Sequence, residues 1–98
     1  MNGQYILDGK EPKPIEDLLE WAKAMERQNR VVKQTQIGDV KVSTVFLGLD
    51  HSFGGGAPLL FETMIFGGKE DGYQDRYSTW DEAIEGHKKA VDLINAVN

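Results

Sequence analysis

Cysteine is missing from this 98-residue chain. Its absence removes disulfide frameworks, thiolate metal sites and cysteine nucleophiles together, and it suits a reducing compartment such as the cytoplasm. Proline is scarce, three residues against eleven glycines, which favours tight turns over an extended tail. No apolar run approaches the ~18–20 residues that a membrane-crossing helix needs. Residues Met1 to Gln4 show no basic segment followed by an apolar one, so no secretory signal is read there. Basic charge is also thin. Eleven Lys and Arg stand against sixteen Asp and Glu, a net charge of −5, and the longest basic run is Lys88-Lys89. Phosphate-backbone recognition needs a basic face, so nucleic-acid polymers and membrane surfaces are not expected as partners. A single small anion remains possible, because a few donors in a cleft are enough to hold it.

The remaining composition is that of a folded domain, with 40% hydrophobic and 28% charged residues. The length predicts one domain over residues 1–98. A chain of this size buries only roughly 60–65% of its unfolded surface, so pairing with a copy of itself would add stability. A homodimer or higher homo-oligomer is expected.

Periodicity predicts an α+β fold in the order β-α-β-β-β-β-α. Gln4 to Leu7 reads as a short strand ended by Asp8-Gly9, with Lys10 to Pro14 an extended link. Ile15, Leu18, Leu19, Ala22 and Met25 recur at three- and four-residue spacing, one stripe of a helix ending near Asn29. Val31 to Ile37 and Val40 to Leu49 are β-rich runs joined by Gly38-Asp39, a two-residue hairpin link. That link sets Ile37 against Val40, Thr35 against Val42 and Lys33 against Thr44. A second strand pair, Leu59 to Phe66 and Tyr73 to Tyr77, follows. The next helix begins at Ser78 or Thr79, where Ser78 with Asp81 or Thr79 with Glu82 has capping-box spacing. Trp80, Ala83, Ile84, His87, Val91 and Ile94 then share one helical face. The expected architecture is a four- to five-stranded antiparallel meander, with Tyr5 to Leu7 at an edge and two amphipathic helices packed on the sheet. Both faces of the central strands look apolar: Val42 and Phe46 against Val45 and Leu47, Phe61 and Ile65 against Leu60, Met64 and Phe66. The second face therefore calls for a subunit or a ligand.

The segment Asp50-His51-Ser52-Phe53-Gly54-Gly55-Gly56-Ala57-Pro58 is the first candidate site. It is longer than the ~2–5 residues of a hairpin link, and three glycine amides next to an acid, an imidazole and a hydroxyl could receive an anion. The plain alternative is a flexible turn. The Walker and dinucleotide patterns are absent, since Gly56 leads into Ala57-Pro58 and a strand. His51 beside Asp50, with Glu62 on the next strand, is the candidate acid–base set if the chain is an enzyme; otherwise His51 caps local backbone. Arg76 is the best-placed cation for a ligand, or else one half of a cross-strand ion pair. Phe53, Tyr77 and Trp80 offer stacking surfaces, although Trp80 at a helix start also reads as a core staple. His87 sits in an apolar stripe and reads as a hydrogen-bonded packing residue. Gly86 inside a helix suggests close approach of another backbone. No short ligand spacing points to a metal, and no cofactor is implied.

The strings Tyr5-Ile6-Leu7-Asp8-Gly9-Lys10, Val42-Ser43-Thr44-Val45-Phe46-Leu47-Gly48-Leu49-Asp50-His51 with Phe53-Gly54, Leu60-Phe61-Glu62-Thr63-Met64 with Phe66-Gly67-Gly68, and Arg76-Tyr77-Ser78-Thr79-Trp80 resemble a family of small phage and prophage proteins. The resemblance covers nearly the whole chain and brings no established reaction or binding residues. It implies work inside an infected bacterium, where small proteins counter host defence, some by sequestering nucleotide-derived signals. The expected function is non-catalytic sequestration of such a ligand by His51, Ser52, Phe53, Gly54, Gly55, Gly56, Arg76, Tyr77 and Trp80. The alternatives are cleavage of the same ligand by His51 with Asp50 or Glu62, and inhibition of a host protein.

Overall fold

Residues 3–52 and 55–97 are described by the computed structural model. Two strands, β1 (Tyr5–Asp8) and β2 (Glu11–Pro14), form an antiparallel ribbon of their own. Helix α1 (Leu18–Arg27) follows, and then β3 (Val31–Ile37), β4 (Val40–Phe46), β5 (Phe61–Phe66) and β6 (Gln74–Tyr77) build a four-stranded antiparallel meander in that order. Helix α2 (Trp80–Val97) ends the fold. The α+β meander is the expected one, and so is the register across Gly38-Asp39: Ile37 faces Val40, Thr35 faces Val42 and Lys33 faces Thr44. Positive φ at Gly38, with none at Asp39, is the primed turn that matches strand twist. The same geometry at Gly9 closes the β1–β2 ribbon. The extended link is thus a strand, and Tyr5 to Leu7 pairs with it rather than with the meander edge. The ribbon joins the meander through a Gln4–Leu49 bridge and a Tyr5 N–H bond to the Gly48 carbonyl.

Helix α2 lies on the meander and covers two apolar clusters. Val42 and Ile65 meet Ala90 and Ile94. Phe46, Leu60 and Phe61 meet Ala83, with Tyr5, Leu7, Met25 and Trp80 closing around them. Each fully buried Phe or Leu here stabilises the fold by roughly 1.5–3 kcal/mol. Between the clusters runs a polar layer. His87, 2% exposed, bonds Thr35 Oγ1 through Nε2 at 2.8 Å and Thr44 Oγ1 through Nδ1 at 2.7 Å, and Thr44 bonds Thr63 at 2.5 Å. His87 is therefore the packing residue its stripe suggested. Burial, with Lys33 nearby, holds its ring below the usual imidazole range.

Three expectations change in detail. The inward face of α2 carries Gly86 and Ala90, and Ile84 turns outward. Gly86 makes room for a ring rather than a backbone: a Cβ there would overlap the Tyr77 side chain. Helix α1 packs on β1 and reaches the meander end through Met25. Its inward positions are Trp21, Ala24, Met25 and Gln28, whereas Leu18 and Leu19 are each 64% exposed. Polar anchors set this rotation. Trp21 Nε1 donates to the Gly48 carbonyl at 3.1 Å, and the Gln28 amide both donates to the Leu7 carbonyl and accepts its N–H.

The sheet face away from α2 is mixed rather than apolar. Leu60 sits before β5 and turns into the core, and on the open face Val45 lies opposite Glu62, Met64 opposite Ser43 and Gln74, Phe66 opposite Lys41, and Arg76 opposite Glu62.

Candidate functional site

The 50–59 loop is organised by one carboxylate. Asp50 Oδ1 accepts the backbone N–H of Ser52 at 2.8 Å and of Leu59 at 2.9 Å, which ties the two ends of the loop together. Those bonds, helped by the Ser52 hydroxyl, hold the Asp50 carboxyl below the usual carboxylate range. His51 adds a backbone bond to the Leu59 carbonyl, and its Nδ1–H donates to the Leu49 carbonyl at 2.8 Å. The ring thus caps local backbone, and no hydrogen bond joins its Nε2 to an acid or hydroxyl among the described residues. Gly55 and Gly56 are exposed, and both have positive φ. Phe53 and Gly54 lie outside the described residues.

Arg76 and Tyr77 point to opposite sides of the sheet, as adjacent strand residues must. Arg76 Nε meets Glu62 Oε2 at 2.9 Å on the open face, and Gln74 donates to the same oxygen at 2.5 Å. This is the cross-strand ion pair read as the plain alternative, and it engages Glu62 as well. Tyr77 faces α2. Its hydroxyl is buried without a hydrogen bond among the described residues, and burial raises its pKa above the usual tyrosine range.

Trp80 does combine both of its sequence readings. Its ring stands perpendicular to Phe61, centroids 6.2 Å apart at 88°, a core contact, while Lys10 Nζ stands 5.9 Å from the ring centroid on the solvent side. That side opens into a 570 Å³ cleft between the β1–β2 ribbon and the start of α2, walled by Tyr5, Pro12, Pro58, Leu60 and Trp80. A neighbouring groove of 540 Å³ runs between β6 and α2 past Tyr77 and Glu85. Both share Ser78 and Asp81.

Charge discriminates what these clefts can take. The α2 N-terminus is closed by its own capping box: Glu82 Oε1 accepts the N–H groups of Ser78 and Thr79, and Thr79 Oγ1 accepts that of Glu82, each at 3.1 Å. Asp8, Glu11 and Asp81 rim the larger cleft against Lys10 alone. A polyphosphate meets net repulsion there; a flat, weakly charged group does not.

Of the expected site residues, the structure brings Arg76 and Tyr77 to the β6–α2 groove and Trp80 to the adjoining cleft, leaves His51, Ser52, Gly55 and Gly56 in the Asp50 loop, and pairs the Arg76 head group with Glu62. Pro58 comes from the end of the candidate loop, and the unanticipated members are Tyr5, Lys10 and Pro12. Their signal was the Asp8-Gly9 turn, which puts Lys10 at a hairpin tip once Glu11 to Pro14 is a strand. Among the described residues no three metal-ligating side chains converge, and no helix is long and apolar enough to cross a membrane. No family model, curated protein or solved structure matches the chain.

Proposed function

We propose that this chain is a non-catalytic binding protein that holds a flat, nucleotide-derived ligand against Trp80 in the cleft between the β1–β2 ribbon and α2. The carrying observation is the Trp80 ring, packed perpendicular to Phe61 and sharing its cleft with Tyr5, Pro12 and Pro58, with Lys10 poised 5.9 Å over it. The cleft volume of 570 Å³ falls in the range of small-molecule sites. A base stacks on the indole in place of the lysine, and Lys10 moves to one anionic group. The acidic rim limits that ligand to a nucleoside or a singly phosphorylated species. Holding rather than cleavage is supported by the engagement of each candidate catalytic group: Asp50 with backbone amides, His51 with a carbonyl, Glu62 with Arg76 and Gln74. The role in an infected host, sequestering a defence signal, rests on the resemblance of the sequence strings alone.

The test is a thermal-shift series of nucleosides, nucleoside monophosphates and diphosphates, followed by recovery of the ligand from denatured complex. The expected result is stabilisation by the first two classes, reaching about 2.7 kcal/mol at a hundredfold excess over Kd, with the ligand returned intact. A cleaved product establishes turnover instead, and no shift in any class removes the proposal.

A further inference from the structure

Apart from Lys10, the charged groups around the Trp80 cleft are all acceptors: the carboxylates of Asp8, Glu11 and Asp81. Glu11 is paired with Lys13 at 2.8 Å. Asp8 belongs to the ribbon wall, two residues from Lys10. Asp81 belongs to the wall that carries the indole, following Trp80 in the first turn of α2. Its neighbour Glu82 is engaged by the Ser78 and Thr79 amides, whereas the Asp81 carboxylate is exposed and enters no ion pair or hydrogen bond among the described residues. Asp81 and Ser78 line both this cleft and the β6–α2 groove, so they stand where the two meet, at the side of the stacking surface.

An ionised carboxylate only accepts hydrogen bonds, and its two oxygens match two neighbouring N–H groups on a planar partner. Among the common bases, guanine alone offers that pair at its pairing edge, N1–H beside the 2-amino group. Adenine and cytosine set one amino group beside a ring-nitrogen lone pair, which the second oxygen repels. Uracil sets a single N–H between two carbonyls. We infer that the Trp80 cleft selects guanine: the base stacks on Trp80, Asp81 accepts N1–H and the 2-amino group together, and the Ser78 hydroxyl donates to O6. This rests on the Trp80 cleft being the ligand site and narrows the ligand to guanosine or its monophosphate, with Lys10 on the phosphate. The acid that disfavours a polyphosphate is the group that chooses the base.

The experiment measures dissociation constants of the wild-type chain for guanosine, inosine, adenosine and cytidine by calorimetry. Guanosine is expected to bind tightest, with inosine, which lacks only the 2-amino group, and adenosine each weaker by about tenfold or more. Asp81→Asn gives a second readout. An amide donates as well as accepts, so this variant loses guanosine by a similar factor and gains xanthosine, whose C2 carbonyl replaces the amino group. A merely structural role for Asp81 would weaken both nucleosides and would not exchange their order. Because Asp81 is exposed, the variant keeps the circular dichroism of the wild type. Adenosine or inosine binding as tightly as guanosine, or an Asp81→Asn variant that keeps the wild-type order, overturns the guanine assignment and leaves the Trp80 site standing. Binding of no nucleoside overturns both.

Discussion

At the scale of single residues, three side chains do work that their types alone do not announce. His87 has both ring nitrogens engaged by threonine hydroxyls at the interface of α2 with the sheet. Its folded-state pKa is below the ordinary 6.5, so the unfolded chain takes up the proton first. The stabilisation is therefore fully present above about pH 6.5 and is lost as pH falls from there toward the lowered folded value. Urea unfolding should give a lower midpoint at pH 5 than at pH 7.5, and an NMR titration should place the His87 ring pKa below that of an unfolded peptide; a raised value contradicts the network. Asp50 acts in a separate, more acidic window: its carboxyl is lowered, so its contribution is lost only below about pH 4. Tyr77 carries a buried hydroxyl with no hydrogen-bond partner among the described residues. Tyr77→Phe should therefore hold or raise stability, by about 1 kcal/mol, whereas Gly86→Ala should cost about 1–3 kcal/mol through overlap with that ring, reversing the usual helical gain of alanine. Denaturant midpoints of the two variants check both signs.

Among the elements, the parts that could be read in the sequence are those fixed by local chemistry. The Gly38-Asp39 link allows one hairpin register, and that register is present. Thr79 and Glu82 form the standard capping box, with Ser78 joining as a second donor to Glu82. Thr79→Ala should cost about 1 kcal/mol of unfolding free energy, measured in urea; no loss would mean that the box does not stabilise α2. What escaped the reading was set by tertiary contact. Strand β2 holds Pro12 and Pro14, which argue against a central strand but are tolerated in an exposed two-stranded ribbon. The rotation of α1 follows the Gln28 and Trp21 hydrogen bonds and not its aliphatic stripe. Gln28→Ala should accordingly release the Leu7 N–H and carbonyl and speed amide exchange across α1 while leaving α2 unchanged. At the candidate site Trp80 was legible as an aromatic surface, its place at a helix start marking the core contact with Phe61, whereas Lys10 and Tyr5 meet it only once the ribbon has folded back. The glycine-rich loop stands out by composition, but what ties its two ends is the Asp50 carboxylate.

As a whole molecule, the chain is longer than its size requires. Its radius of gyration is 14.3 Å, against about 13 Å for a compact domain of this length, and its extents are 45 × 30 × 20 Å. The ribbon and α1 extend from the Phe46–Leu60 end of the meander, which creates both the Trp80 cleft and the exposed Leu18–Leu19 stripe. An acidic molecule of this shape suits a ligand that binds by stacking more than by charge. The most direct measurement uses Trp80 itself. In a Trp21→Phe background, Trp80 is the sole indole, and its fluorescence should change saturably on titration with a nucleoside or a nucleoside monophosphate. Lys10→Ala should weaken the monophosphate more than the nucleoside, and His51→Ala should leave both unchanged. An unchanged Trp80 signal under a ligand that still stabilises the fold would place binding elsewhere and contradict the Trp80 cleft as the site.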